Sequence, residues 1–181
     1  MHTRQSPRRS SIFGAFAVIA LAVLFGGCAT TAPRATFTQA LEKPHRIGVT
    51  DQLIVKVEAS KDVSIEDHEK QRLAQRIKQK IDMKKMNGAV PGGNRDFEIE
   101  VLLTQYEKGN AFARFMLAGL GQIHIDSHVS VVALPERTKV GQFDINKTFA
   151  WGGIYGGKTS IAEVEEGFAE GVAAAVTEGQ Q

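Results

Sequence analysis

Cysteine is nearly missing from this chain, with Cys28 the single example among 181 residues. No disulfide can close within the molecule, and no second thiol exists for a cysteine-based metal site or redox pair. Tryptophan occurs once and proline five times, which excludes proline-rich and collagen-like architectures. No apolar run reaches the ~18 residues expected of a spanning helix; the longest, residues 12–25 (IFGAFAVIALAVLF), has fourteen. A charge excess is also lacking once the chain is divided. Residues 1–27 carry Arg4, Arg8 and Arg9 and no acid, which leaves 19 Lys and Arg against 20 Asp and Glu in the rest. A body so close to neutral argues against nucleic acid as a main partner, because phosphate binding needs a concentrated basic surface. What is present is an ordinary globular composition, 43% hydrophobic and 23% charged, sufficient for one folded core.

The N-terminus reads as an export signal. A basic, polar stretch over residues 1–11 is followed by the apolar run and then by Gly26 and Gly27, the three parts of a secretory signal peptide. As a helix the run would rise ~21 Å, short of the ~30 Å hydrocarbon core. Arg8 and Arg9 raise the twin-arginine route, but Ser11 and Ile12 fit it poorly, and the general secretion route is expected. The sequence Leu24-Phe25-Gly26-Gly27-Cys28 resembles a bacterial lipobox. That resemblance implies cleavage before Cys28, acylation of Cys28, and a lasting anchor from three chains where one gives only marginal binding. By the same resemblance Ala29, standing where an Asp would favour inner-membrane retention, implies the outer membrane, periplasmic face. Residues 28–44 carry Pro33 and Pro44 without sustained periodicity and are expected to be a lipidated tether, leaving 45–181 as a periplasmic domain.

Within that domain Leu53, Val55 and Val57 alternate with polar neighbours, the pattern of a half-buried strand. Ser64 is the expected cap of a helix carrying Leu73, Ile77 and Ile81 to a stop at Asn87-Gly88, with acids at its start and Lys78, Lys80, Lys84 and Lys85 at its end. Three more strand patterns follow, on Phe97, Ile99, Val101 and Leu103, on Ile123, Ile125, Val129 and Val131, and on Phe143, Ile145 and Phe149. Ser160 with Glu163 opens a last amphipathic helix through Val164, Phe168, Val172 and Val176 to Gly179. The order β-α-β-β-β-α, with one buried face per strand, predicts an α+β two-layer sandwich in which an antiparallel or mixed sheet of about four strands is covered by two helices.

Several residue groups invite chemistry. Gly152 to Thr159 (GGIYGGKT) satisfies G-x-x-x-x-G-K-[ST] between a strand and a helix. No parallel strand follows to supply a metal-binding Asp, and Ser160-Glu163 already accounts for the helix start. His124, Asp126 and His128 share a strand face, but the two histidines are ~13 Å apart along it, too far to share one ion. Glu98 and Glu100 stand together on the opposite face from Phe97, where a solvated edge is the plain reading and paired carboxylates the sharper one. The Lys78–Lys85 run reads as a solvated helix end in preference to an anionic-lipid patch. No G-x-S-x-G or H-E-x-x-H occurs. Catalytic, metal and cofactor residues are accordingly expected to be none.

Residues 109–121 (GNAFARFMLAGLG) are too apolar for an ordinary connection between strands. They are either a short helix packed on the core or a docking element whose Phe112, Arg114, Phe115, Met116 and Leu120 meet a partner or lipid. Residues 102–121 (LLTQYEKGNAFARFMLAGLG), with Val129, Val131 and Leu134, the Gly-rich stretch and the Ala/Val-rich terminal helix, resemble the bacterial lipoproteins grouped as domain of unknown function 4410. Gly109, Asn110, Arg114, Gly119 and Gly121 are the most characteristic positions. The resemblance implies an exported lipoprotein without an assigned activity. At fold level the element order is also similar to periplasmic α+β domains of lipoproteins in outer-membrane secretion and assembly systems. The expected function is a non-enzymatic, outer-membrane-anchored adaptor or assembly component, held to the membrane by lipid and meeting a protein partner or further copies of itself. The alternatives are a binding module for a small molecule, lipid or envelope polymer, and an enzyme using His124 or His128.

Overall fold

The computed structural model describes residues 33, 35–88, 91–116, 121–149 and 158–180, all within the unit formed by residues 32–181. Five strands make one mixed sheet: β1 (Ala35–Gln39), β2 (Gln52–Ala59), β3 (Asp96–Glu107), β4 (Ile123–Leu134) and β5 (Thr138–Phe149), in the spatial order β1-β5-β4-β3-β2. The α-helices among the described residues are α1 (Asp67–Asn87), the short α2 (Ala111–Met116) and α3 (Ile161–Glu178), and a 3-10 turn spans Lys43–His45. The α+β class is as predicted. One strand is additional: residues 35–39, placed above in the tether, form β1 and pair antiparallel with β5. Ala35 and Phe37 turn inward there, and Phe37 meets Phe143 with ring centroids 5.2 Å apart.

Alternation along the strands decides the layers. Phe97, Ile99, Val101 and Leu103 of β3 stand in register with Leu53, Val55, Val57 and Ala59 of the parallel β2, and all eight belong to the core or pack against it. Parallel neighbours need a crossover, and α1 supplies it. Its inward stripe repeats every fourth residue, with Leu73, Ile77 and Ile81 fully buried in the middle and Glu69 and Lys85 at the two ends. Each buried Leu or Ile there contributes roughly 1.5–3 kcal/mol by leaving water. Helix α3 is apolar around most of its circumference, with Val164, Phe168, Ala169, Val172 and Val176 buried; it packs against α1 and over β4 and β5.

Both helix ends differ instructively from expectation or match it. The N-cap of α1 is Glu66, two residues later than the predicted Ser64, and it forms a reciprocal capping box with Glu69. The predicted Ser160–Glu163 box of α3 is present, the Ser160 N–H donating to Glu163 Oε2 at 2.8 Å. Because β2 and β3 run parallel and β3, β4 and β5 form a meander, the molecule has two distinct ends. At one lie Ala59, Glu107, Ile123, Phe149 and the N-termini of α1 and α3; at the other lie Gln52, Asp96, the 135–137 turn and the C-termini of both helices.

Candidate functional site

The first end carries α2. It lies beyond the last ladder pair, Glu107 with His124, so its backbone stands outside the sheet. Asn110 organises the excursion: its Oδ1 accepts the Ala113 N–H at 3.0 Å as a helix cap, and its own N–H donates to the Gly121 carbonyl at 3.1 Å, closing the base. Gly121 has φ +66°, and a side chain there would meet the Asn110 carbonyl at 2.5 Å, so the backbone conformation requires glycine. One helical turn apart on α2, Phe112 is 73% exposed and Met116 58% exposed. Of the predicted docking set, Leu120 and the side chains of Arg114 and Phe115 lie outside the described residues, as does Cys28. Beside the base an open cleft of about 590 Å³ is lined by Ser64, Glu107, Lys108, Gly109, Asn110, Gly121 and Gln122, all polar except the two glycines.

The polar groups singled out in the sequence are not gathered into one site. His124, Asp126 and His128 share the sheet face turned away from the helices, yet each histidine has its own partner. His124 shares hydrogen bonds with Asp126 Oδ2 at 3.0 Å and Thr148 Oγ1 at 2.7 Å, and His128 with Asp144 Oδ1 at 2.5 Å. Among the described residues no set of three potential ligands stands together for a metal. Of the P-loop-like stretch, residues 152–157 lie outside the described residues.

Glu98 corrects an expectation. It is not on a solvated edge: β3 is flanked by β2 and β4, and Glu98 is only 3% exposed. Lys56 Nζ approaches it to 2.7 Å and Arg137 Nη2 to 2.9 Å, the latter also holding Glu100 at 2.7 Å. The hydrogen bond from Arg137, then that from Lys56, holds the Glu98 carboxyl down at about 2. The lysine run is likewise occupied. Lys78 pairs with Asp82, Lys80 with Glu166 and Lys84 with Glu178, while Lys85 reaches Asp82 and the Asp51 carbonyl.

Two buried charge clusters had no counterpart in the sequence reading. Between the helices, Glu165 is fully buried and accepts from Arg72 Nε and Nη2 at 3.0 and 2.7 Å and from the Tyr106 hydroxyl at 2.7 Å. Arg76 Nε stands 3.3 Å away. Burial, then the Glu165 carboxylate accepting its proton, pushes the Tyr106 hydroxyl far above its ordinary range. At the opposite end Asp51, also fully buried, accepts the backbone N–H of Gly48, Gly93 and Arg95 and the Arg95 side chain, whose Nη2 is 2.6 Å away. Burial alone would raise that carboxyl, but Arg95 and the three backbone donors outweigh it and hold it well below the usual range. Arg95 further donates to the carbonyls of Pro44 and Arg46 and lies 5.0 Å over the Phe97 ring. Both clusters are structural clamps in which a buried carboxylate accepts several hydrogen bonds from within the fold. The only sequence signals were isolated ionic residues on otherwise apolar stripes, such as Glu165 beside Val164 and Phe168.

No described helix is long and apolar enough to cross a membrane. No curated protein matches the chain. Among solved structures, the PelC dodecamer from Paraburkholderia phytofirmans is similar in fold, with 9% identity and a TM-score of 0.52 over 81% of this chain and 98% of that one. A variant of the same PelC dodecamer shows 10% identity and a TM-score of 0.48 over 80% and 95%. A Xanthomonas campestris protein of the DUF330 family shows 14% identity and a TM-score of 0.39 over 80% and 90%. Residues 43–153 match the model of the family described as Domain of unknown function (DUF4410), and the chain belongs to that family.

Proposed function

We propose that this protein is an outer-membrane lipoprotein, acylated at Cys28, whose domain works at the periplasmic face as a non-enzymatic adaptor or assembly component, as an oligomer of identical copies. The observation that carries this reading is the contrast between its polar and its apolar groups. The buried ionic side chains are consumed in clamps within the fold, with Glu98 and Asp51 held firmly ionised, a poor state for a general acid. On α2, at one end, two large apolar side chains, Phe112 and Met116, are turned outward, which suits contact better than chemistry. Residues 24–28 support the anchor, and the dodecameric state of PelC supports oligomerisation. Crosslinking in intact cells followed by native mass spectrometry of the detergent-extracted protein tests the reading. Discrete multimers with a diacylglyceryl group on Cys28 are expected; monomer alone, or an unmodified N-terminus, overturns it.

A further inference from the structure

We propose that α2 is a membrane-docking element, and that Phe112 and Met116 enter the interface of the same bilayer that receives the acyl chains of Cys28. The proposal rests on the lipidation reading above and deepens it by naming the occupant of the exposed apolar face as phospholipid.

The direction of the chain carries the argument. Strand β1 runs from the level of Ile145, opposite Ala35, toward Gln142, opposite Gln39. The polypeptide therefore enters the sheet from the Phe149 end, which is the end beyond which α2 stands. Pro33 fixes the entry further. It lies against Gly171 of α3, where a side chain added at Gly171 would come 2.5 Å from Pro33 Cγ and 2.7 Å from Ile145 Cδ1. From Pro33 back to Cys28 are five residues, a reach of at most about 17 Å. From Ile145 to the last pair at Phe149 are four residues, about 13 Å along the strand. An acylated Cys28 at the end of so short a lead leaves little room between the bilayer and the sheet end, and α2 already stands beyond that end.

The chemistry of α2 fits the interface. A phenyl ring and a thioether one turn apart form an apolar spot on a helix too short to cross anything, the arrangement of a shallow insertion to roughly 5–10 Å. A rival apolar pair exists on α1, where Met83 is 52% and Met86 78% exposed. That pair sits at the other end of the molecule, where Lys85 binds the carbonyl preceding β2, and β1 leads away from the membrane toward it. Its neighbouring lysines Lys84 and Lys85 are matched by Glu178 and Asp82, so no net cationic patch draws it to anionic lipid.

The test uses the mature, acylated full chain on phosphatidylethanolamine and phosphatidylglycerol vesicles. Trp151 is the only tryptophan, so Trp151→Phe gives a silent background into which Phe112→Trp or Met86→Trp is placed; both positions are exposed, and folding is checked by circular dichroism. Flotation with vesicles reports the anchor, and quenching by lipids brominated near the headgroup reports depth. Flotation of both variants, with loss of fluorescence from Phe112→Trp and none from Met86→Trp, is the expected result. Flotation with quenching at position 86, or at neither position, overturns the docking while leaving the anchor standing. Failure to float overturns the anchor, and the docking falls with it.

Discussion

Glu165 of α3 and Arg72 of α1, 93 residues apart in sequence, are joined by two hydrogen bonds of 3.0 and 2.7 Å on a carboxylate that water does not reach. Tyr106 of β3 completes the same acceptor, so one buried charge ties both helices to the sheet. Removing one partner of a buried pair typically costs about 3–5 kcal/mol, because the other is left uncompensated. Arg72 is about one-third exposed and can recover some hydration, which places Glu165→Ala near the lower limit, about 3 kcal/mol. Glu165→Gln keeps an acceptor for one donor and should lose less. Urea unfolding of the protein reads both, and a loss below about 1 kcal/mol for Glu165→Ala would refute the clamp.

At the opposite end, Asp51 makes a local prediction. Its carboxylate accepts the N–H groups of Gly48, Gly93 and Arg95 at 2.9, 2.8 and 3.0 Å, so Asp51, with the Thr50 hydroxyl bonded to Pro91 and Asn94, holds the 91–95 segment to the start of β2. In Asp51→Ala those amides lose their acceptor. Hydrogen exchange should accelerate at Gly93 and Arg95 while amides in the middle of β4 keep their protection. Equal acceleration everywhere would mean that Asp51 supports the whole fold and not this segment.

These clamps also show where sequence reading reaches its limit. The strand faces of β2 to β5 and the stripe Leu73, Ile77, Ile81 were legible because one buried face per element imposes a period on the sequence itself. The α3 cap was legible because Ser160 and Glu163 are three residues apart. β1 was not, since a five-residue edge strand with Phe37 as its single large apolar residue leaves almost no periodic signal. Nor was the partner of Glu165, because pairing across 93 residues depends on helix packing that no local pattern encodes. For α2, the sequence marked the segment as too apolar for a connection; the fold added that Phe112 and Met116 are exposed and that the segment stands at the end from which the chain enters.

Glu98 links stability to pH. Its carboxyl is held at about 2 by Arg137 and then Lys56, against an ordinary value of 4.5. An acid whose folded-state value is depressed stabilises the fold fully above its unfolded value, and that contribution fades as pH falls toward the folded one. Wild type should therefore lose more stability than Glu98→Gln between about pH 5 and about pH 2. At neutral pH the variant should be less stable by about 1 kcal/mol, since Lys56 and Arg137 are both half exposed and rehydrate readily. Thermal melts across that range check the crossover, and parallel curves for the two proteins would contradict it.

Gly171 and Gly167 on α3 make opposite predictions for the same substitution. Alanine in place of a helical glycine ordinarily gains up to about 1 kcal/mol. At Gly167 the nearest atom to a new Cβ is Lys147 Cε at 3.0 Å, the distal part of a flexible side chain, so Gly167→Ala should keep most of that gain. At Gly171 the new Cβ falls 2.5 Å from the Pro33 ring, which cannot rotate away, and 2.7 Å from Ile145 Cδ1. Overpacking of that kind costs about 1–3 kcal/mol, so Gly171→Ala should be destabilising by about 1 kcal/mol after the helix gain is counted. Pro33→Gly removes the rigid half of the clash. If Pro33 rests on α3 as the structure places it, the double variant should recover stability relative to Gly171→Ala, a coupling that a double-mutant cycle of thermal unfolding measures directly. Strict additivity would detach Pro33 from the helix, and with it remove the short lead on which the proposed membrane docking of α2 rests.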